Sequence, residues 1–321
     1  MDLTWRPLTL ADAEAVAGLL AAANQVDPTG EHYSAEDVRE DVASPNVDLA
    51  GGTTTAWDGD RLVAVVIPRV RDAANPVHQL RFEMCVHPGY RDGEIGARLI
   101  DWLVRAATEL HRRRFPDAPL ELHGSTHENQ RWLTALFETH GFRHARSFVD
   151  MRADLSVLPP NRPLPTDLRL VRFEDKYDEL TRQARNDTFA EHWGSTVQSP
   201  EAWRHMITGS QSFRPDLSFL LLSPGEDEVA AFVLSAHFES DTAATGIREL
   251  YVSNVGTRRA MRGRGVATAL LGHTLAEAKA HGFQRSVLGV DVDNATGALG
   301  IYQRCGFSVT DRWYGWIRAL P

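Results

Sequence analysis

The chain has 321 residues, 34 Lys and Arg against 43 Asp and Glu, a formal net charge of −9 and 43% apolar residues. That length predicts two domains, each able to bury a core unaided, and the composition excludes collagen, coiled coil and wholesale disorder. The acidic balance argues against a nucleic-acid or anionic-membrane binder, the two cysteines (Cys85 and Cys305) against a secreted disulfide framework, and the lack of any run of about 18 apolar residues against a membrane span or signal peptide.

Read from the N-terminus, a short strand at 5–8 passes into a helical pattern with Asp12 near its start. Glu83-Met84-Cys85-Val86 reads as a strand, Arg91–Gly96 as a charged loop, and the following helical stretch ends on Arg112-Arg113-Arg114, where cations favour the helix dipole. A proline-rich run at 158–165 cannot continue a helix or a central strand and reads as an extended linker. Beyond it the order repeats: a strand at 168–171, Asp175 near a helix start, two strands at 218–222 and 229–235 around a Pro-Gly turn, and a strand at 248–252. A basic glycine loop at 262–265, a helix at 266–281, a strand at 286–290 and a helix at 296–304 ending at Gly306 complete it.

The two halves are copies of one unit. Glu83-Met84-Cys85-Val86 parallels Glu249-Leu250-Tyr251-Val252 at an offset of 166, while Asn129 and Phe137–Phe142 parallel Asn294 and Tyr302–Phe307 at 165. A longer loop in the second copy pairs Gly96 with Ala267. The expected fold class is α/β (α+β): two tandem domains, 1–155 and 167–321, joined by a linker at 156–166, each a mixed, mostly antiparallel sheet flanked by helices.

The chemistry concentrates in Arg262-Gly263-Arg264-Gly265-Val266-Ala267-Thr268. Glycines between a strand and a helix let consecutive N–H groups point at a bound anion, and the helix N-terminus adds a favourable dipole, which suits a pyrophosphate. Asn294, Tyr302 and Gly306-Phe307 follow at a spacing unlikely to arise by chance. With these residues the chain resembles the GNAT superfamily of acyl-CoA-dependent N-acyltransferases, whose coenzyme loop reads Gln/Arg-x-x-Gly-x-Gly/Ala, and among them the tandem two-domain members.

The resemblance implies acetyl-CoA as cosubstrate, with Val252, Ser253, Asn254 and Val255 along the acyl and pantetheine arm. It places Arg262, Gly263, Arg264, Gly265, Val266, Ala267 and Thr268 around the pyrophosphate and Asn294 on the pantetheine side. It makes Tyr302 the acid that protonates the departing thiolate and Glu249 the base toward the amine, often through water. Asp187, Glu191, His192 and Trp193 fall where such proteins build the acceptor pocket; a helix end packing Phe189 and Trp193 into the core explains the same letters.

Two departures bear on which half works. Glu94 stands in unit one where the motif wants glycine, setting a side chain and a negative charge beside a polyanion, and Phe137 replaces the tyrosine. The second half is therefore expected to be the catalyst and the first a structural or substrate-shaping partner. No metal is expected, since the His123/His127 and His140/His144 pairs lie in loop and turn contexts without clustered partners. The expectation is a cytoplasmic N-acetyltransferase acting on a small-molecule amine, monomeric or homodimeric. A peptide amine as acceptor, or a non-catalytic acyl-CoA-binding module, are the alternatives.

Overall fold

In the first half, alternating and continuous apolar runs form five strands: β1 (Thr4–Arg6), β2 (Thr54–Asp58), β3 (Arg61–Arg69), β4 (His78–Val86) and β5 (Leu120–His127). Helices α1 (Ala13–Val26), α2 (Ala35–Val42), α3 (Ile95–Arg114) and α4 (Arg131–Thr139) accompany them. Neighbours β1 to β4 pair antiparallel, whereas β4 and β5 run parallel across the long α3 crossover. Helix α3 carries Leu99, Ile100, Leu103, Ala107 and Leu110 on one face, all buried against β3 and β4.

This computed structural model describes residues 2–225, 228–293 and 297–321. Strand β6 (Arg143–Asp154) leads into the second half, with β7 (Arg169–Arg172), β8 (Phe219–Leu222), β9 (Val229–Ala236), β10 (Glu249–Thr257) and β11 (Arg285–Asp291). Its helices are α5 (Asp178–Phe189), α6 (Pro200–Trp203), α7 (Glu239–Thr245), α8 (Val266–Ala280) and α9 (Ala298–Arg304), and β12 (Ser308–Leu320) ends the fold. The pairing repeats the first half: β7 to β10 antiparallel, then β10 and β11 parallel. Every residue of β8 and β9 is buried, which explains their unbroken apolar runs.

The expected domain limits need one correction. The compact units are Met1–Ser147 with Trp313–Pro321, and Phe148–Arg312, referred to below as units 1 and 2. Residues 148–154 of β6 pair antiparallel with β11, and residues 313–320 of β12 pair antiparallel with β5. Each half thus hands its last strand to the other's sheet. A strand's own sequence fixes which of its faces is apolar, not which sheet edge it joins, so the exchange leaves no local signal.

Nor is the proline-rich segment a free linker. Leu158 and Leu164 pack on the unit 2 core, and Pro159 lies 3.1 Å from where a Cβ of Gly306 would stand. Elsewhere the predicted elements shift modestly. The strand expected at 248–252 continues to Thr257, and the last helix is described from Ala298, Thr296 lying outside the described residues. No helix among the described residues is long and apolar enough to cross a membrane.

Candidate active site

Parallel pairing of β10 with β11 covers only Glu249↔Arg285, Leu250↔Ser286 and Tyr251↔Val287. Beyond it the strands part, and a cleft of about 810 Å³ opens between Val252, Ser253 and Val255 on one side and 288–291 on the other. A bulge helps to turn β10 away: Val252 faces Ser235 and Asn254 faces Leu234, leaving Ser253 as the extra residue. Ser253 Oγ donates to the Leu234 carbonyl at 3.2 Å, which pins the bulge. Backbone groups on the parted edges therefore border the cleft rather than pairing with each other.

The cleft floor is the start of α8. Gly263 and Gly265 hold φ of +78° and +77°, a conformation that costs other residues about 1–2 kcal/mol. Gly265 is the N-cap, so the amides of Val266, Ala267 and Thr268 have no acceptor within the helix, and all three residues line the cleft. Three N–H groups at the positive end of a helix dipole thus border the cleft, an arrangement with the chemistry of an anion cradle. Arg262 also lines it, with Glu191 3.8 Å away. Arg264 does not: its guanidinium makes two 2.7 Å hydrogen bonds to Asp167 outside the cleft.

Tyr302 projects into the cleft from α9. Burial pushes its phenol up to about 12, so at neutral pH it is a proton donor. The neighbouring Cys305 thiol is pushed up by burial to about 11 and reaches the Thr268 carbonyl at 3.7 Å, which ties α9 to α8 and leaves the sulfur protonated.

The remaining expected site residues divide. Glu191 and His192 line the cleft, and burial lowers the proton affinity of His192, with the Arg185 and Arg262 charges acting the same way. Asp187 is taken by an ion pair with Arg258, and Trp193 packs against Phe148 at 6.0 Å between ring centres; neither lines the cleft. Asn254 sits after the bulge and is not part of the wall. Glu249 also lies outside the lining, its Oε2 3.3 Å from Arg152 Nε and 3.1 Å from Arg285 Nε. Neither contact has hydrogen-bond geometry, so Oε2 is buried without a hydrogen-bond partner among the described residues. Asn294 lies outside the described residues. Arg162 and Arg304 line the cleft without having been singled out in the sequence. A lone arginine after prolines and another at a helix end carry no motif.

The acetyltransferase (GNAT) family profile matches residues 178–307. A mycothiol acetyltransferase from Streptomyces scabiei is 30% identical over 310 residues, 94% of this chain and 89% of that one. One from Parafrankia is 27% identical, covering 95% of each. Among solved structures, a GCN5-related N-acetyltransferase from Sphaerobacter thermophilus matches with TM-score 0.76 and 25% identity, over 99% of this chain and 95% of that one. A tandem GNAT protein from the clavulanic acid biosynthesis pathway matches the fold with TM-score 0.72 at 18% identity, over 99% and 98%.

Proposed function

The chain belongs to the acetyltransferase (GNAT) family, and on that premise we propose that unit 2 moves the acetyl group of acetyl-CoA to a primary amine of a small molecule. What carries the reading is the meeting, in one cleft, of parted strands, the α8 amide cradle and a protonated tyrosine. The pyrophosphate lies on the amides of Val266, Ala267 and Thr268, with Arg262 beside them. The pantetheine arm runs between the parted strands, bringing the thioester toward Tyr302. The amine nitrogen attacks the carbonyl carbon, the C–S bond breaks, and the sulfur takes the Tyr302 proton. Backbone N–H groups near the Ser253 bulge hold the developing oxyanion.

The ammonium proton of the acceptor goes through water to Glu249 in the first reading. A second reading gives it to His192, on the observation that His192 lines the cleft while Glu249 lies against two guanidiniums outside it. The pH profile of kcat/KM separates them. Loss of the acidic limb in His192→Gln, with Glu249→Gln keeping it, assigns the proton to His192; the reverse pattern assigns it to Glu249.

Acetyl-CoA-dependent thiol release over a panel of amines tests the function itself: cysteinyl-glucosaminyl-inositol, aminoglycosides, polyamines and short peptides. The names of the relatives put the first compound at the head of the panel. Release with one class, reduced in Tyr302→Phe, is the expected result. Silence across the panel from protein that binds acetyl-CoA would replace the enzyme with a binding module.

A further inference from the structure

We propose that the proline-rich segment between the two halves is part of the coenzyme site: Arg162, together with Arg304 at the end of α9, takes the 3′-phosphate of coenzyme A. The inference rests on the acetyl-CoA reading above and goes beyond it, because it assigns a recognition site outside the glycine loop and predicts a specific discrimination.

The segment is held in place. Leu158 and Leu164 sit on the unit 2 core, and Asn161 Oδ1 lies 2.7 Å from where a Cβ of Gly272 would stand on α8, so a side chain there would displace Asn161. This anchoring delivers Arg162 to the mouth of the cleft, where its Nη1 is 3.5 Å from the position a Cβ would take at Gly265, the α8 N-cap. Arg304 approaches from α9, and both side chains line the cleft as well as a small hollow between the segment and α8. A second cationic pole therefore stands next to the amide cradle, built from two elements that the glycine motif does not include.

Charge pairing narrows what this pole is for. Of the basic loop, Arg258 is neutralised by Asp187 and Glu228, and Arg264 by Asp167. Arg262 has a carboxylate at 3.8 Å. Arg162 and Arg304, by contrast, have no carboxylate partner among the described residues. A pyrophosphate is already provided for by three amides, a helix dipole and Arg262. Two further guanidiniums facing the same cleft match a ligand with another phosphate a short way from the first two. Coenzyme A has such a group on its ribose, and the planar guanidinium fork fits phosphate oxygens.

The test is calorimetric titration of the full chain with coenzyme A and with 3′-dephospho-coenzyme A. Wild type is expected to favour coenzyme A by about tenfold or more. Arg162→Gln and Arg304→Gln should each lower affinity for coenzyme A while leaving the dephospho form within about twofold, and the double variant should erase the preference. Arg162→Lys, which keeps the charge, should retain part of it. Both side chains are exposed, so thermal melting should not move. Equal weakening of both ligands in Arg162→Gln, or a wild type without preference, overturns the proposal while leaving the coenzyme reading standing. Failure of wild type to bind either form removes that reading and this inference together.

Discussion

Units 1 and 2 have the same strand order and the same break in parallel pairing, and at that break unit 2 opens the cleft described above while unit 1 packs its own side chains. In unit 1 the β4–β5 pairing stops at Arg81↔His123, and beyond it the rings of Phe82, Phe137 and Phe142 meet at centroid distances of 4.9–5.6 Å. A Cβ on Gly124 would lie 2.7 Å from Phe82 and 2.9 Å from Phe137. Its counterpart at the repeat offset, Gly289, has nothing nearer than Asp150 Oδ1 at 3.5 Å. The position matching Gly297, on the unit 2 cleft wall, is Trp132. Trp132 Nε1 donates to the Arg91 carbonyl at 3.1 Å, and the Arg91 guanidinium lies over its ring while paired with Asp27 at 2.6 Å. Unit 1 uses the matching positions for its own side chains. Its helix cap differs as well: Glu94 holds φ at −80°, where Gly265 holds +77°. At these matched positions the two units differ in side-chain volume and charge, and the substitutions below test what that difference does.

Rewriting unit 2 with unit 1 residues should give the largest effect. Gly265→Glu brings a non-glycine residue to a positive φ and a carboxylate beside the phosphates, and should lower acetyl-CoA affinity at least about a hundredfold. Gly297→Trp, also at positive φ (+66°), should do the same by filling the cleft. Isothermal titration reads both, with circular dichroism to show retained fold. Near-normal affinity in both variants would remove the cradle assignment. Wild type should bind one coenzyme per chain.

Next in size is Tyr302→Phe, which turns the unit 2 residue into the one unit 1 already has. Loss of the acid should reduce kcat at neutral pH by about a hundredfold, with acetyl-CoA affinity within about twofold. Equal losses in binding and turnover would make Tyr302 a packing residue, the role Phe137 has in the core of unit 1.

Much of this contrast was legible in the sequence, because Glu94 for glycine and Phe137 for tyrosine are changes of chemical type at motif positions. Trp132 escaped notice: it reads as an ordinary aromatic on a helix face, and its meaning depends on knowing that Gly297 borders a cleft. The strand exchange was hidden because it is a long-range choice of partner. Arg264 was legible as a loop cation, but the two bonds to Asp167 that turn it away are non-local. Arg162 was the converse case, a residue in a segment read as a linker that packing delivers to the site. The glycine loop was legible as a local motif, whereas the ion pairs that engage Arg258 and Arg264 and leave Arg162 and Arg304 on the cleft are tertiary.

Removing the unit 1 filling should have a smaller effect, on stability rather than chemistry. Trp132→Ala should destabilise unit 1 by about 2–3 kcal/mol, less than for a fully buried tryptophan. Acetyl transfer should stay within about twofold, and coenzyme stoichiometry should remain one, because Glu94 still blocks the loop. A rise to two coenzymes per chain would mean that Trp132 alone separates the units.

The smallest effect concerns acid. His78 in unit 1 is fully buried beside His111, with Nδ1 to Nδ1 2.9 Å, so one ring nitrogen donates and the other accepts. Burial lowers the His78 pKa to about 4, helped by the charges of His111, Arg114 and Arg71. The unfolded chain takes up this proton near pH 6.5 and the folded chain near 4, so the stability that neutral His78 contributes is complete above about pH 6.5 and is lost progressively as pH falls toward 4. The expected loss is about 3 kcal/mol. Hydrogen exchange should show protection of the β4 and β5 amides falling across this interval, and His78→Phe should flatten the fall by removing the titrating group. An unchanged slope in that variant would place the acid sensitivity elsewhere, and unit 1 would then share its acid limit with unit 2 rather than set its own.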